Sequence, residues 1–324
     1  MKNILIVIAY TYLVLAFSSC AKKQKSYWID FYWKSSKIGE KVYDKSAMFV
    51  DFTLGDKPKF SFQLDTGSTT FFKDSIINSY LKYYKKYENK LGAYDQNRSL
   101  NQKNINNRRI SYLLNDLPLN FKDTTLVSSE VILYPDSGKE LDSLIFANYR
   151  NHIGTLGINT FKGKKLVIDY PNKRFTVLSD MLPDYEKVKT IKFELDNSNR
   201  ILLPVHFNRK KYYVMFDTGS SIFPLITNNR DFWNQYSETP AIDSLQVPSF
   251  GNYYTTYKGK IKENVKIEGL NLKNKNIYLG TRPSEKELKN GIEIIGVTGN
   301  QLFLKDIIMI DFSNKEFNFI TKKK

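Results

Sequence analysis

AMFVDFTLGDKPKFSFQLDTGST, residues 47–69, and ILLPVHFNRKKYYVMFDTGSS, residues 201–221, follow one plan. Each opens on an apolar strand, turns through a short basic segment and returns through alternating residues into Asp-Thr-Gly-Ser. Phe60, Phe62 and Leu64 share one face of the first return strand, and Tyr212, Val214 and Phe216 share one face of the second. Gly55-Asp56 and Asn208-Arg209 sit where the hairpin turns are needed. A single copy of four residues is weak evidence. Two copies in matching settings indicate an internal duplication in which each half delivers one carboxylate, Asp65 and Asp217, to a common place.

A second pair of segments supports the duplication. IGTLGINTFKGKKLVIDYPNKRFTVL begins at Ile153 and IGVTGNQLFLKDIIMIDFSNKEFNFI at Ile295, a constant offset of 142 residues (295 − 153) without a gap. Gly154 falls on Gly296, Gly157 on Gly299, Phe161 on Phe303, Asp169 on Asp311, Asn172 on Asn314 and Phe175 on Phe317. The Asp-Thr-Gly-Ser copies are offset by 152 (217 − 65), so the second half is ten residues shorter between its motif and this segment. Repeated order with the length change confined to the middle is what duplication followed by loop drift leaves. Asp169 and Asp311 read as structural residues at strand ends.

The chain of 324 residues suits two domains, each with its own core. Residues 1–19 read as a lipoprotein signal peptide: Lys2 is followed by an apolar run too short to span a bilayer comfortably. Small residues then precede Cys20, the sole cysteine, which excludes a disulfide within the molecule. This resembles the lipobox of bacterial lipoproteins and implies lipidation of Cys20, a membrane tether and a place in the cell envelope outside the cytoplasm. Residues 20–45 form the anchored N-terminal segment, in which the aromatic run 27–33 has the alternation of a strand. Lobes follow at 46–180 and 200–321, joined by a connector at 181–199, with a frayed lysine tail beyond. Residues 73–90 and 229–236 read as helices, 95–109 as a long loop or hairpin tip, and the remainder as mostly β structure.

Lys and Arg number 49 against 33 Asp and Glu, a net charge of +16. The lysines are scattered without a basic helix or a nucleic-acid motif, so a nucleic-acid partner is set aside. The two histidines, His152 and His206, lack metal-ligand spacing, no Gly-x-Ser-x-Gly elbow is present, and no glycine-rich phosphate loop appears. No metal or cofactor is expected. What remains is the carboxylate pair. Two close carboxylates cannot both ionise easily, so the pair holds one proton over a range of pH, and can both activate water and protonate a carbonyl oxygen.

FQLDTGST and VMFDTGSS, with the two later glycine-phenylalanine-aspartate segments, resemble the catalytic loops and later signature of the aspartic protease superfamily, pepsin-like and retropepsin-like. The resemblance covers about residues 47–320. It implies a mostly β fold of two homologous barrel lobes with the active site in the cleft between them. By position, Asp65 and Asp217 become the catalytic dyad of an endopeptidase acting as a monomer on extended polypeptides. Thr66 and Thr218 become cross-bonded threonines, Gly67 and Gly219 shape the loops, and Ser68 and Ser220 support the outer carboxylate oxygens. The flap departs from the family: its tyrosine signature is absent from the first half. PSFGNYYTTYKGK in the second half offers Tyr253, Tyr254 and Tyr257, which are equally read as ordinary strand aromatics. A catalytically silent peptide-binding lipoprotein with the same fold is the alternative.

Overall fold

The computed structural model describes residues 28–53, 60–73, 91–92, 112–134, 152–207, 209–238, 243–249, 252–262, 265–268, 270–280 and 292–323. These form a mostly β molecule with one sheet of thirteen strands and one of ten. Of the helix expected at 73–90, Lys73 instead closes the strand Phe71–Lys73, and residues 74–90, like the segment 95–109, lie outside the described residues. The second helix is present as Arg230–Tyr236, started by Asn229, whose side chain accepts a hydrogen bond from the Phe232 N–H at 2.9 Å. No helix among the described residues is long and apolar enough to cross a membrane.

The internal repeat becomes geometry in the larger sheet, where one strand of each half meets its mate. Strand Lys165–Asp169 pairs antiparallel with Ile307–Asp311, with Asp169 opposite Ile307, Lys165 opposite Asp311, and Val167 opposite Met309. Adding the offset gives 167 + 142 = 309, so repeat-related residues meet each other there. A local two-fold axis passes between them. Flanking strands complete the order Tyr185–Lys192, Glu316–Lys322, Ile307–Asp311, Lys165–Asp169, Arg174–Leu178 and Ile29–Ile38.

Alternation gives this sheet two apolar faces. Leu166, Ile168, Ile308 and Ile310 point into the main core, which also holds Phe62, Leu64, Phe216 and Phe303. Val167, Met309, Leu178 and Ile320 point the other way, where Leu182, Tyr185 and Trp28 cover them. Each fully buried aliphatic side chain here contributes about 1.5–3 kcal/mol. The connector therefore does more than link: its residues 181–185 cap the outer face, and Tyr185–Lys192 adds an edge strand. The tail is not frayed where described. Lys322 pairs with Tyr185, and the Lys323 N–H donates to the Asp184 carbonyl at 2.9 Å.

Asp169 and Asp311 are structural, as their matched positions suggest. Asp169 accepts from Asn172 and from Arg174 Nε at 2.9 Å, and Asp311 accepts from the Ser313 and Asn314 backbones and the Asn314 amide. Each fixes the tight turn after its strand. The same left-handed residue follows in both halves, Lys173 and Lys315, each at φ 52°.

The aromatic run expected as a strand extends further than its alternation indicated, over Ile29–Ile38. This strand starts against Phe175 in the central sheet, then forms a hairpin with Lys41–Phe52, which in turn pairs with Phe60–Leu64. At the hairpin tip Ile38 joins Phe223, Leu245 and Tyr278 of the second half, and Lys41 meets Asp243 at 2.9 Å. One hairpin thus touches the central sheet and both halves.

Candidate active site

Each motif strand is seated by the later glycine segment of its own half. Phe60–Leu64 runs parallel to His152–Leu156, with Leu64 opposite Leu156, and Lys210–Phe216 runs parallel to Ile294–Thr298, with Phe216 opposite Thr298. The Asp65 N–H donates to the Leu156 carbonyl at 3.0 Å and the Asp217 N–H to the Thr298 carbonyl at 2.9 Å. Gly157 and Gly299 then pass so close behind the loops that a Cβ on either would fall inside the backbone of Ser68–Thr69 or Ser220. Close backbone approach is why the two linked signatures recur together.

Past the aspartates the loops exchange hydrogen bonds. The Thr66 N–H donates to the Thr218 hydroxyl at 2.9 Å, and the Thr218 N–H to the Thr66 hydroxyl at 3.1 Å. The hydroxyls donate onward to the Phe216 carbonyl (3.3 Å) and the Leu64 carbonyl (2.9 Å). Both threonines are fully buried, so these bonds are made away from competing water. Thr66→Val or Thr218→Val keeps the shape and orphans a buried N–H and a carbonyl. Each variant is expected to lose about 1–3 kcal/mol, read as a lower urea midpoint at unchanged m-value.

The exchange brings the two carboxylates together. Asp65 Oδ1 accepts from the Gly67 N–H at 2.9 Å, and Asp217 Oδ1 from the Gly219 N–H at 2.7 Å. Gly67 faces the opposite carboxylate, with the place of a Cβ only 2.4 Å from Asp217 Cγ; Gly219 faces Asp65 in the same way, at 2.6 Å from Oδ2. Removal from water, and then the charge of Asp217, pushes the Asp65 carboxyl well above the ordinary range. Burial also raises Asp217, while hydrogen bonds from Asp65, Gly219 and Gly67 and the charge of Arg200 oppose the rise. The side chains are only half-buried by exposure, yet lie deep among the atoms of both loops. Such a pair holds one proton between two acids.

The Ser68 hydroxyl is placed otherwise than expected. The Ser68 hydroxyl donates to the Thr69 carbonyl at 3.2 Å rather than to a carboxylate, and Ser220 contributes its N–H to the Asp217 carbonyl. Ser221 is the serine tied into the second loop, donating to the Thr218 carbonyl at 2.9 Å.

The tyrosine hairpin exists as Asp243–Ser249 paired with Asn252–Lys260. Tyr257 packs against the main core, Tyr254 stands opposite Val247, and Tyr253 is 52% exposed. The hairpin's counterpart in the first half was not legible. The parallel pairs of Phe71–Lys73 with Thr124–Tyr134 and of Ile226–Thr227 with Asn276–Gly280 place Leu91–Gly92 and Tyr112–Phe121 in the corresponding positions. Residues 93–111 lie outside the described residues.

His206 is exposed, and His152 packs edge-on to Phe49 with Nε2 at 2.9 Å from the Gly154 carbonyl. Among the described residues no cluster of His, Cys, Asp and Glu could hold a metal ion. Cys20 lies outside them. Two site residues escaped the sequence reading. Asn300 donates to the Thr218 carbonyl and the Ser221 hydroxyl, each at 2.7 Å, and accepts from the Tyr170 hydroxyl at 2.6 Å. The signal was available: Asn300 is a polar residue where the first half has Ile158.

No family model matches the chain, and no curated protein does. Among solved structures it is similar to basic 7S globulin from soybean, at 10% identity and a TM-score of 0.43, over 90% of this chain and 94% of that one. A likeness this weak carries no functional weight, so the reading of the site rests on its own geometry.

Proposed function

We propose that this chain is an aspartic endopeptidase built as two pepsin- or retropepsin-like barrel lobes, residues 46–180 and 200–321, with Asp65 and Asp217 in the cleft between them. One observation carries the reading: two buried threonines exchange hydrogen bonds across the repeat and hold two raised-pKa carboxyls in contact. A fold kept only for binding has no need of that contact.

In this reading the charged carboxylate takes a proton from a water molecule while the protonated one donates to the peptide carbonyl oxygen. The water oxygen bonds to the carbonyl carbon and gives a neutral tetrahedral diol. Collapse breaks the C–N bond, with a proton delivered to the departing nitrogen, and restores the singly protonated pair. Both carboxylates lie in one chain, so the enzyme acts as a monomer, and neither metal nor cofactor enters. Lipid on Cys20 tethers it to a membrane of the cell envelope, where its substrates are extended polypeptides.

The test uses the chain from residue 21 onward, a diverse peptide mixture and ¹⁸O-labelled water, between about pH 3 and about pH 7. New carboxyl termini carrying a single solvent oxygen are expected by mass spectrometry. Intact peptides at every pH would remove the endopeptidase reading and leave a peptide-binding lipoprotein.

A further inference from the structure

The two catalytic loops match in backbone and in threonine exchange, but what stands behind them differs. Under the second loop lies a closed polar chain. Asn300 Nδ2 and the Ser221 hydroxyl both donate to the Thr218 carbonyl, at 2.7 and 2.9 Å. A carbonyl only accepts, so this contact fixes the orientation of the Asn300 amide. Its Oδ1 must then be an acceptor, and the Tyr170 hydroxyl donates to it at 2.6 Å. Tyr170, Thr218, Ser221 and Asn300 are all at most 3% exposed.

The other side of the local two-fold axis lacks this chain. The repeat mate of Tyr170 is Phe312 (170 + 142) and that of Asn300 is Ile158 (300 − 142). Phe312 stacks on Phe161 with ring centroids 6.4 Å apart. Among the described residues no side chain donates to the Thr66 carbonyl, the counterpart of the Thr218 carbonyl.

The asymmetry reaches the acids through one peptide unit. The Thr218 carbonyl and the Gly219 N–H belong to the same peptide group, and that N–H donates to Asp217 Oδ1 at 2.7 Å, against 2.9 Å for Gly67 and Asp65. Donors on a peptide oxygen draw electron density toward it and make the N–H of that peptide a stronger donor. A stronger donor favours the charged form of the carboxylate it meets.

We propose that Tyr170 and Asn300 are positioning residues that make the two aspartates unequal: through the Thr218–Gly219 peptide they hold the negative charge on Asp217 and leave the shared proton on Asp65. Resting on the endopeptidase reading, this makes Asp217 the group that activates water and Asp65 the group that protonates the carbonyl oxygen. The other charges around the pair agree with the assignment. Arg200 also favours the ionised form of Asp217, with its own charge partly met by Asp196. Burial and the Asp217 charge act together against ionisation of Asp65. Tyr170 comes from the first half and is held by the N-terminal strand, its ring stacked at 12° on Trp33 and edge-on to Phe31. The first half therefore takes part in setting the protonation of the second half's acid.

The experiment is a carboxyl ¹³C NMR titration of the full chain labelled at aspartate, assigned with Asp65→Asn and Asp217→Asn. It needs no substrate. As pH rises, the first ionisation of the pair is expected at Asp217. Tyr170→Phe puts at 170 the residue already accepted at 312, and is expected to raise that first step by about 0.5 pH units. Asn300→Ile, its own repeat mate, is expected to raise it by about 1 unit, with the acidic limb of kcat/KM moving equally. A first ionisation at Asp65, or identical titrations for unmodified protein and Tyr170→Phe, would overturn the assignment even if Tyr170→Phe lowered Tm. The expected order without any peptide cleavage would uphold the assignment and sink the endopeptidase reading alone.

Discussion

Asp65→Asn and Asp217→Asn, made singly, are each expected to cut peptide hydrolysis about 10³- to 10⁴-fold while making the protein more resistant to heat at neutral pH. The activity loss follows from the shared proton: with either acid gone, one group cannot both activate water and protonate the carbonyl oxygen. The stability gain follows from linkage. Both carboxyls are raised in the folded protein, so ionising them costs more there than in the unfolded chain. Stability therefore falls as pH rises from about 4, where an unfolded aspartate ionises, through the raised folded value. An asparagine removes that cost. The variants should gain about 2–4 °C in Tm at neutral pH and nothing below about pH 4. Scanning calorimetry at both pH values checks the sign. Equal Tm differences at the two would mean that the acids are not strained by their contact.

The second large effect is expected from a single methyl group. Gly67→Ala puts a Cβ 2.4 Å from Asp217 Cγ and about as close to both of its oxygens; Gly219→Ala does the same to Asp65. Atoms that close cannot coexist, and the loops cannot yield freely because the threonine exchange pins them. The carboxylate must move instead. A displacement of about 1 Å at a reacting group is enough to cost about 10²-fold in kcat, and the strain should lower stability by about 1–3 kcal/mol. On the endopeptidase reading, steady-state kinetics should show the loss in kcat with KM little changed, because the change is confined to the two loops. A fully active Gly67→Ala enzyme would mean that the two loops separate in the working state.

The two-fold arrangement was legible because it is written twice. The offset of 142 residues, fixed by glycines and phenylalanines, becomes the pairing of Val167 with Met309. The aspartates, threonines and loop glycines were legible for the same reason. What the sequence hid was whatever the halves do not share. Asn300 and Tyr170 matter because their mates, Ile158 and Phe312, are apolar, so matching one half to the other passes over them. Tyr185–Lys192 was hidden differently: lysines on its outward positions and a bulge between Lys187 and Lys189 break the alternation that marks a strand. The Ser68 hydroxyl was misplaced because hydrogen-bond direction cannot be read from spacing, and Ser221 was passed over because Asp-Thr-Gly-Ser-Ser offers two serines in the second half.

If the chain is the lipid-anchored endopeptidase proposed above, the outer cover of the central sheet bears on which way its acids face. Trp28, the first described residue, lies against that cover under the Arg174 guanidinium, whereas both motif strands pack on the sheet's other face. With lipid on Cys20, seven residues (21–27) would lie between the lipidated cysteine and Trp28, eight Cα steps that can span at most about 28 Å. On the proposed reading, a tether attached on this side leaves the sheet between lipid and acids, and the cleft would then receive chains that arrive from the side away from the membrane.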